Sequence, residues 1–176
     1  PPLWYAFGDL GYEGELLANL VSGYRSRYQA HFLDPEPFPG VIELLHELHD
    51  AGVPFATATS KQAPMALAQM EHLGLSSVFD VIAGATPDPA SSKATVIHEA
   101  LTRLEDRGAD ISRPVIVGDS IWDVRGAKEA GIPVIGVGWG YATDDGLADA
   151  DAVCDTVDDL RTYLLDGVAQ HARSAG

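Results

Sequence analysis

Val115-Ile-Val-Gly-Asp-Ser-Ile-Trp-Asp-Val-Arg125 decides how the rest of the chain is read. Val115–Gly118 has the uninterrupted apolar character of a parallel strand buried on both faces. Asp119 closes that run, and Asp123 follows four positions later on the first turn of a predicted helix. Open α/β sheets place ligands just beyond the carboxyl ends of such strands. Two carboxylates at i and i+4 can converge there on one point. Hard oxygen donors in that place suit Mg²⁺, which takes one or two carboxylates together with waters and substrate phosphate. A second reading stands beside it, with Asp119 and Ser120 serving only to cap the helix that follows. The stretch alone does not choose between them.

Outward from this point, strands and helices alternate. Apolar periodicity predicts helices over 41–51, 63–73, 91–107, 121–130 and 157–168. Short apolar runs predict strands over 53–58, 78–83, 114–117 and 133–137. Such alternation implies βαβ units and a parallel sheet. The expected fold is therefore α/β, a Rossmann-like parallel sheet flanked by helices. The first 33 residues differ: Leu16, Leu17, Leu20, Val21, Tyr24 and Tyr28 recur at helical spacing without a strand among them. Asp34-Pro-Glu-Pro-Phe-Pro-Gly40 halts that segment and marks a boundary or hinge.

Composition narrows the function classes. The length of 176 residues suits one domain with a small appendage. Eleven basic against twenty-six acidic residues leave a net charge of −15. That argues against nucleic-acid and anionic-membrane partners, which require cationic patches. A phosphorylated small molecule stays compatible, because a metal ion supplies positive charge locally. The single cysteine, Cys154, excludes an internal disulfide and a multi-cysteine zinc site, and reads as a buried strand residue. The six histidines show no metal-ligand spacing. No apolar run approaches the roughly 20 residues of a bilayer span, and no secretory leader is visible, so a cytoplasmic location is expected. The chain opens on Pro1-Pro2 without an initiator Met, as a processed or truncated piece would.

Two further strand ends resemble the first. Phe55–Ala58 runs into Thr59-Ser60-Lys61, and Val134–Val137 into Gly138-Trp139-Gly140-Tyr141. Hydroxyls and backbone N–H groups at a helix start form an anion site, which Thr59 and Ser60 would supply; the same pair also reads as a helix cap. Lys93 opens the helix predicted over 91–107. A cation there opposes the helix dipole, and a residue that breaks a local rule is a functional candidate; an exposed, solvated lysine is the plainer account. Trp139 and Tyr141 read either as substrate contacts or as loop packing. Arg25, Arg27 and Tyr28 read as surface residues or as leaving-group contacts, and Asp144-Asp145 as solvated loop.

The order of a hydroxyl at one strand end, a lysine at a following helix start and GDxxxD at a later strand end resembles the haloacid dehalogenase-like superfamily. Within it the chain is similar to the phosphoglycolate phosphatase-like group over nearly its whole length. The resemblance implies that residues 1–36 are the remaining part of a helical cap and residues 37–176 an α/β core. It implies that Thr59 and Ser60 bind phosphate, that Lys93 neutralises the phosphoryl group, and that Asp119 and Asp123 hold Mg²⁺. The implied reaction is hydrolysis of a phosphate monoester through an aspartyl-phosphate, with a second aspartate as general acid. That group's first motif, a strand ending in DxDGT, has no counterpart here. The nearest mimic, Leu3–Phe7 followed by Gly8-Asp9-Leu10-Gly11, carries one carboxylate and no threonine. By resemblance the core therefore lacks its first strand, which would lie between those ending at Thr59 and Asp119, and the chain alone would be inactive. Alternatives on the same scaffold are a phosphomutase, a dehalogenase or a non-catalytic phosphate- or metal-binding fragment. A dehalogenase needs no metal, so the GDxxxD pattern argues against it.

Overall fold

The computed structural model describes residues 7–88, 91–142 and 145–174, the last eight in backbone only. Leu3 to Ala6 of the N-terminal mimic, and Asp144, lie outside the described residues. In chain order the elements are α1 (Gly14–His31), α2 (Val41–Asp50), β1 (Ala56–Gln62), α3 (Ala63–His72), β2 (Val81–Ala85) and α4 (Lys93–Glu105). There follow β3 (Ile116–Gly118), α5 (Ile121–Ala130), β4 (Val134–Val137), β5 (Ala152–Cys154) and α6 (Val157–Ser174). The architecture is the expected one, α/β with parallel strands flanked by helices. Gly8 and Asp9 are helical, so the mimic does not continue as a strand-end motif.

Among the described residues the strands form two parallel sheets, β1–β2 and β3–β4–β5. In the first, Ala56 lies opposite Val81 and Thr59 opposite Gly84; in the second, Val117 lies opposite Ile135 and Gly136 opposite Val153. β4 is the only strand with partners on both sides, and all four of its residues are buried. Its sequence Val-Ile-Gly-Val is accordingly apolar throughout, as a doubly covered strand requires.

Each sheet has its own covering. Leu44 and Leu48 of α2 and Leu160 of α6 pack on Ile135, Val137 and Cys154. Val124 and Ala127 of α5, with Leu147, cover Val134 on the opposite face. Burying a leucine contributes about 1.5–3 kcal/mol, so the two α2 leucines alone anchor that helix. Val96, Ala100 and Leu104 of α4 pack on Val81 and Ala83 of the smaller sheet. α4 and α5 also pack on each other and join the two halves.

Two expectations need correcting. Val115–Gly118 is not a strand buried on both faces: β3 spans only Ile116–Gly118, with Val117 41% exposed and Val115 37% exposed. The cause is topological, since β3 pairs only with β4 and its other edge has no described partner. Ile116, one register step away, still packs against the α5 cluster. The strand predicted over 53–58 starts later and runs further, from Ala56 to Gln62 with an irregularity in register between Thr59 and Gln62.

Candidate functional site

The carboxyl ends of β1 and β3 carry the groups that the sequence singled out. Thr59 and Ser60 are strand residues rather than helix caps: α3 begins at Ala63, after Gln62. Thr59 Oγ1 accepts from the Lys61 N–H at 3.2 Å, a local turn that breaks the ladder and turns the chain toward α3. Thr59 is half-buried and Ser60 exposed.

Lys93 is the first residue of α4. Its helix start is closed by Ser92 and Thr95, each hydroxyl accepting from the other's backbone N–H, at 3.2 and 2.8 Å. Lys93 is therefore not needed for capping, and its side chain turns inward. Its Nζ forms an ion pair with Asp123 Oδ1 at 2.7 Å and donates to the carbonyl of Ala58 in β1. The side chains are 18% and 14% exposed, so the pair is largely withdrawn from water. The lysine that opposes the helix dipole is held by a carboxylate of the next helix and by the backbone of β1. It ties β1 of the smaller sheet to the helix that follows β3 of the larger one.

Asp123 is fully engaged. Its Oδ2 accepts from the Asp119 N–H at 3.2 Å and from the Ser120 hydroxyl at 2.6 Å. Ser120 in turn accepts from the Asp123 N–H at 3.4 Å. Capping and site-building thus coexist here: Ser120 caps α5, and Asp123 aligns the Asp119 backbone while pairing with Lys93. Asp119 is differently placed. Its Oδ2 accepts from the Tyr141 N–H at 3.0 Å.

Three glycines permit this convergence. A Cβ on Gly118 would fall 2.2 Å from the Asp123 Cβ, and one on Gly140 would fall 2.2 Å from the Asp119 Cβ. A Cβ on Gly126 would meet the Lys93 Cγ at 2.3 Å. Gly118 and Gly140 lie within the GDxxxD and Gly138–Tyr141 stretches quoted from the sequence, where no steric role was given to them, and Gly126 was not singled out. Gly126 carried a usable signal, because glycine in mid-helix costs about 0.5–1 kcal/mol relative to alanine and demands a reason.

Other candidates are resolved by position. Trp139 packs against the α2–α6 core, whereas Tyr141, two residues on, is 82% exposed. Arg25 and Arg27 are exposed on α1; Tyr28 is half-buried and stacked on Tyr24, and burial pushes its phenol upward. Cys154 is buried in β5; burial, then Asp159 and Asp155, push its thiol up, away from nucleophilic character. Among the described residues no cluster of three or more His, Cys, Asp or Glu is placed to hold a metal ion. Asp119 nevertheless suits Mg²⁺, which is content with one or two protein carboxylates beside phosphate and water. Asp123 is committed to Lys93 and Ser120 and fits a supporting position better than a direct one.

Parallel strands with a hydroxyl, a lysine and an aspartate pair at their carboxyl edge define an α/β protein with a polar, charged site at that edge. The chain belongs to the haloacid dehalogenase-like hydrolase family, whose model matches residues 3–137. It is 36% identical over 170 residues to the tyrosine-protein kinase PtkA of Mycobacterium tuberculosis strain H37Rv, covering 93% of this chain and 57% of that protein. It is 35% identical over 133 residues to the phosphoglycolate phosphatase of Caulobacter vibrioides, covering 75% of this chain and 55% of that enzyme. The chain thus spans little more than half the length of these relatives. The crystal structure of a predicted phosphatase from Clostridium acetobutylicum superposes with a TM-score of 0.83 at 28% identity, covering 94% of this chain and 78% of that one. No helix among the described residues is long and apolar enough to cross a membrane.

Proposed function

We propose that the chain is the larger part of a phosphoglycolate phosphatase-like, Mg²⁺-dependent phosphate-monoester hydrolase that acts through an aspartyl-phosphate on a cytoplasmic small molecule. The observation that carries this reading is the Lys93–Asp123 pair, which draws the ends of β1 and β3 together beside Thr59 and Asp119. Thr59 and Ser60 hold phosphoryl oxygens through hydroxyl and backbone N–H groups. Lys93 offsets negative charge on the transferring group in a site shielded from water, where such compensation is strongest. Asp119, oriented by Asp123 and by the Tyr141 N–H, is the residue that would hold Mg²⁺. When bound, that ion supplies charge neutralisation at the phosphoryl oxygens.

On this reading residues 1–36 belong to a helical cap and residues 37–176 to the core. The nucleophile and general acid sit on a strand between β1 and β3 that this chain does not contribute. Among the described residues β1 and β3 each lack a partner on one edge, which supports that placement. A second reading rests on the relative named a tyrosine-protein kinase: the same groups would hold a phosphoryl group passed to a tyrosine hydroxyl rather than to water. Product analysis separates the two, by released inorganic phosphate or by phosphotyrosine on a protein acceptor.

The test is turnover of p-nitrophenyl phosphate, with and without Mg²⁺, by the chain together with its native upstream sequence. Metal-dependent turnover is expected. Asp119→Asn should cut it by about a hundredfold or more, as loss of a transition-state charge contact does, while Asp50→Asn on the exposed end of α2 should leave it unchanged. Absence of metal-dependent turnover would overturn the hydrolase reading.

A further inference from the structure

We propose that Phe38 and Tyr141 form a leaving-group subsite at the mouth of the phosphoryl site, one that favours phosphomonoesters with a flat, aromatic leaving group. This rests on the phosphoryl-site reading above and adds the class of group attached to the phosphate.

The argument starts from the loop after β4. Trp139 and Tyr141 are equivalent in the sequence, two aromatic residues separated by glycine. Trp139 packs against the α2–α6 core. Tyr141 points the other way and is the most exposed of the large apolar side chains described, at 82%. Folding gains little from leaving such a ring in water. Yet its backbone is tightly placed, since the Tyr141 N–H donates to Asp119 Oδ2 at 3.0 Å and Gly140 leaves no room for a Cβ beside Asp119. The ring is thus carried by a residue that touches the candidate metal ligand.

Its one described ring partner comes from elsewhere in the chain. Phe38, in the proline-rich return between α1 and α2, meets Tyr141 edge-on, with centroids 5.9 Å apart and ring planes at 61°. Phe38 is itself 37% exposed. Such a pair fixes the orientation of both rings, and the exposure of Tyr141 leaves ring surface open to a third. A ligand held by its phosphate between Thr59, Lys93 and Asp119 projects its other end outward beside Tyr141. A neutral aromatic group gains contact there. A small anionic group gains nothing from these uncharged rings.

Chemical-shift titration of the ¹⁵N-labelled chain together with its native upstream sequence, in Mg²⁺, tests this, using methyl phosphate and phenyl phosphate as probes. Both esters should shift the Thr59, Lys93 and Asp119 amides. Phenyl phosphate should bind about fivefold more tightly, the scale of one added aromatic contact. Tyr141→Ala should reduce the ratio of the two affinities to about one. Tyr141→Phe should preserve it, and Phe38→Ala should weaken it. An unchanged preference in Tyr141→Ala, or none in the parent chain, overturns the subsite while leaving the phosphoryl site intact. If neither ester shifts those amides, the phosphoryl-site reading falls and the subsite with it.

Discussion

At the scale of single residues, Asp123 and Lys93 are the hub. Four contacts converge on them: the Asp119 N–H, the Ser120 hydroxyl, the Ala58 carbonyl and their own ion pair at 2.7 Å. A pair this withdrawn from water adds little net stability, because desolvation offsets attraction, but breaking it leaves an uncompensated charge. Lys93→Met should therefore destabilise the chain by about 1–3 kcal/mol, the cost of stranding a charged or hydrogen-bonding group. Asp123→Asn should cost a similar amount: the amide oxygen still accepts from Ser120 and Asp119, but its NH₂ then faces the Lys93 ammonium, which loses its counter-charge. In the double variant the loss should fall short of the sum of the single losses, because the two share one interaction. Urea unfolding of the four proteins measures this directly. Strict additivity would mean that the ion pair contributes nothing, and that Lys93 is held by Ala58 alone.

At the scale of elements, helix α5 shows how the site dictates sequence. A glycine at position 126 weakens an isolated helix, so replacing it with alanine would ordinarily stabilise. Here the added methyl would lie 2.3 Å from the Lys93 Cγ and 2.6 Å from its Cβ. Gly126→Ala should therefore reverse sign and destabilise by about 1–3 kcal/mol, the usual cost of overpacking. Gly108→Ala is no suitable control, because that residue sits at a φ of +88°; Ser22→Ala, exposed on α1, is. Thermal unfolding decides, and a Tm at or above that of the parent would show that α4 and α5 can move apart. The same elements mark what sequence could and could not convey. β4 was legible because Val134, Ile135 and Val137, bounded by Pro133 and Gly138, form a short apolar run between two breakers. Thr59, Lys93, Asp119 and Asp123 stood out through their order along the chain, and the structure brings Lys93, Asp119 and Asp123 into one network. The exposure of Val117 was not legible in its own stretch, because a strand missing a neighbour looks in sequence the same as one with two; only the resemblance, which implies a missing strand beside it, points to an open edge. The role of Asp123 as a brace depends on the Lys93 side chain reaching across from another helix, which no local spacing reports.

At the scale of the molecule, two parallel sheets are joined through helices rather than through a strand ladder. Among the described residues β1 pairs only with β2, and β3 only with β4. Each therefore keeps one row of backbone N–H and C=O groups without a ladder partner, an arrangement that native sheets rarely leave open. The proposed strand between them would satisfy both rows and cover Val117, which is now 41% exposed. Hydrogen exchange distinguishes this from a fold content with two sheets. In the chain alone, β4 should exchange slowest, being buried at every residue and paired on both sides. β1 and β3 should exchange faster, through amides that face the unpaired edges. Adding the native upstream sequence should slow β1 and β3 by about tenfold or more, as expected when an open edge gains a ladder. β2 and β5, on the far edges, should change little. Equal rates in β1 and β3 with and without that sequence would mean that no strand enters between them, and the site would have to be completed in another way.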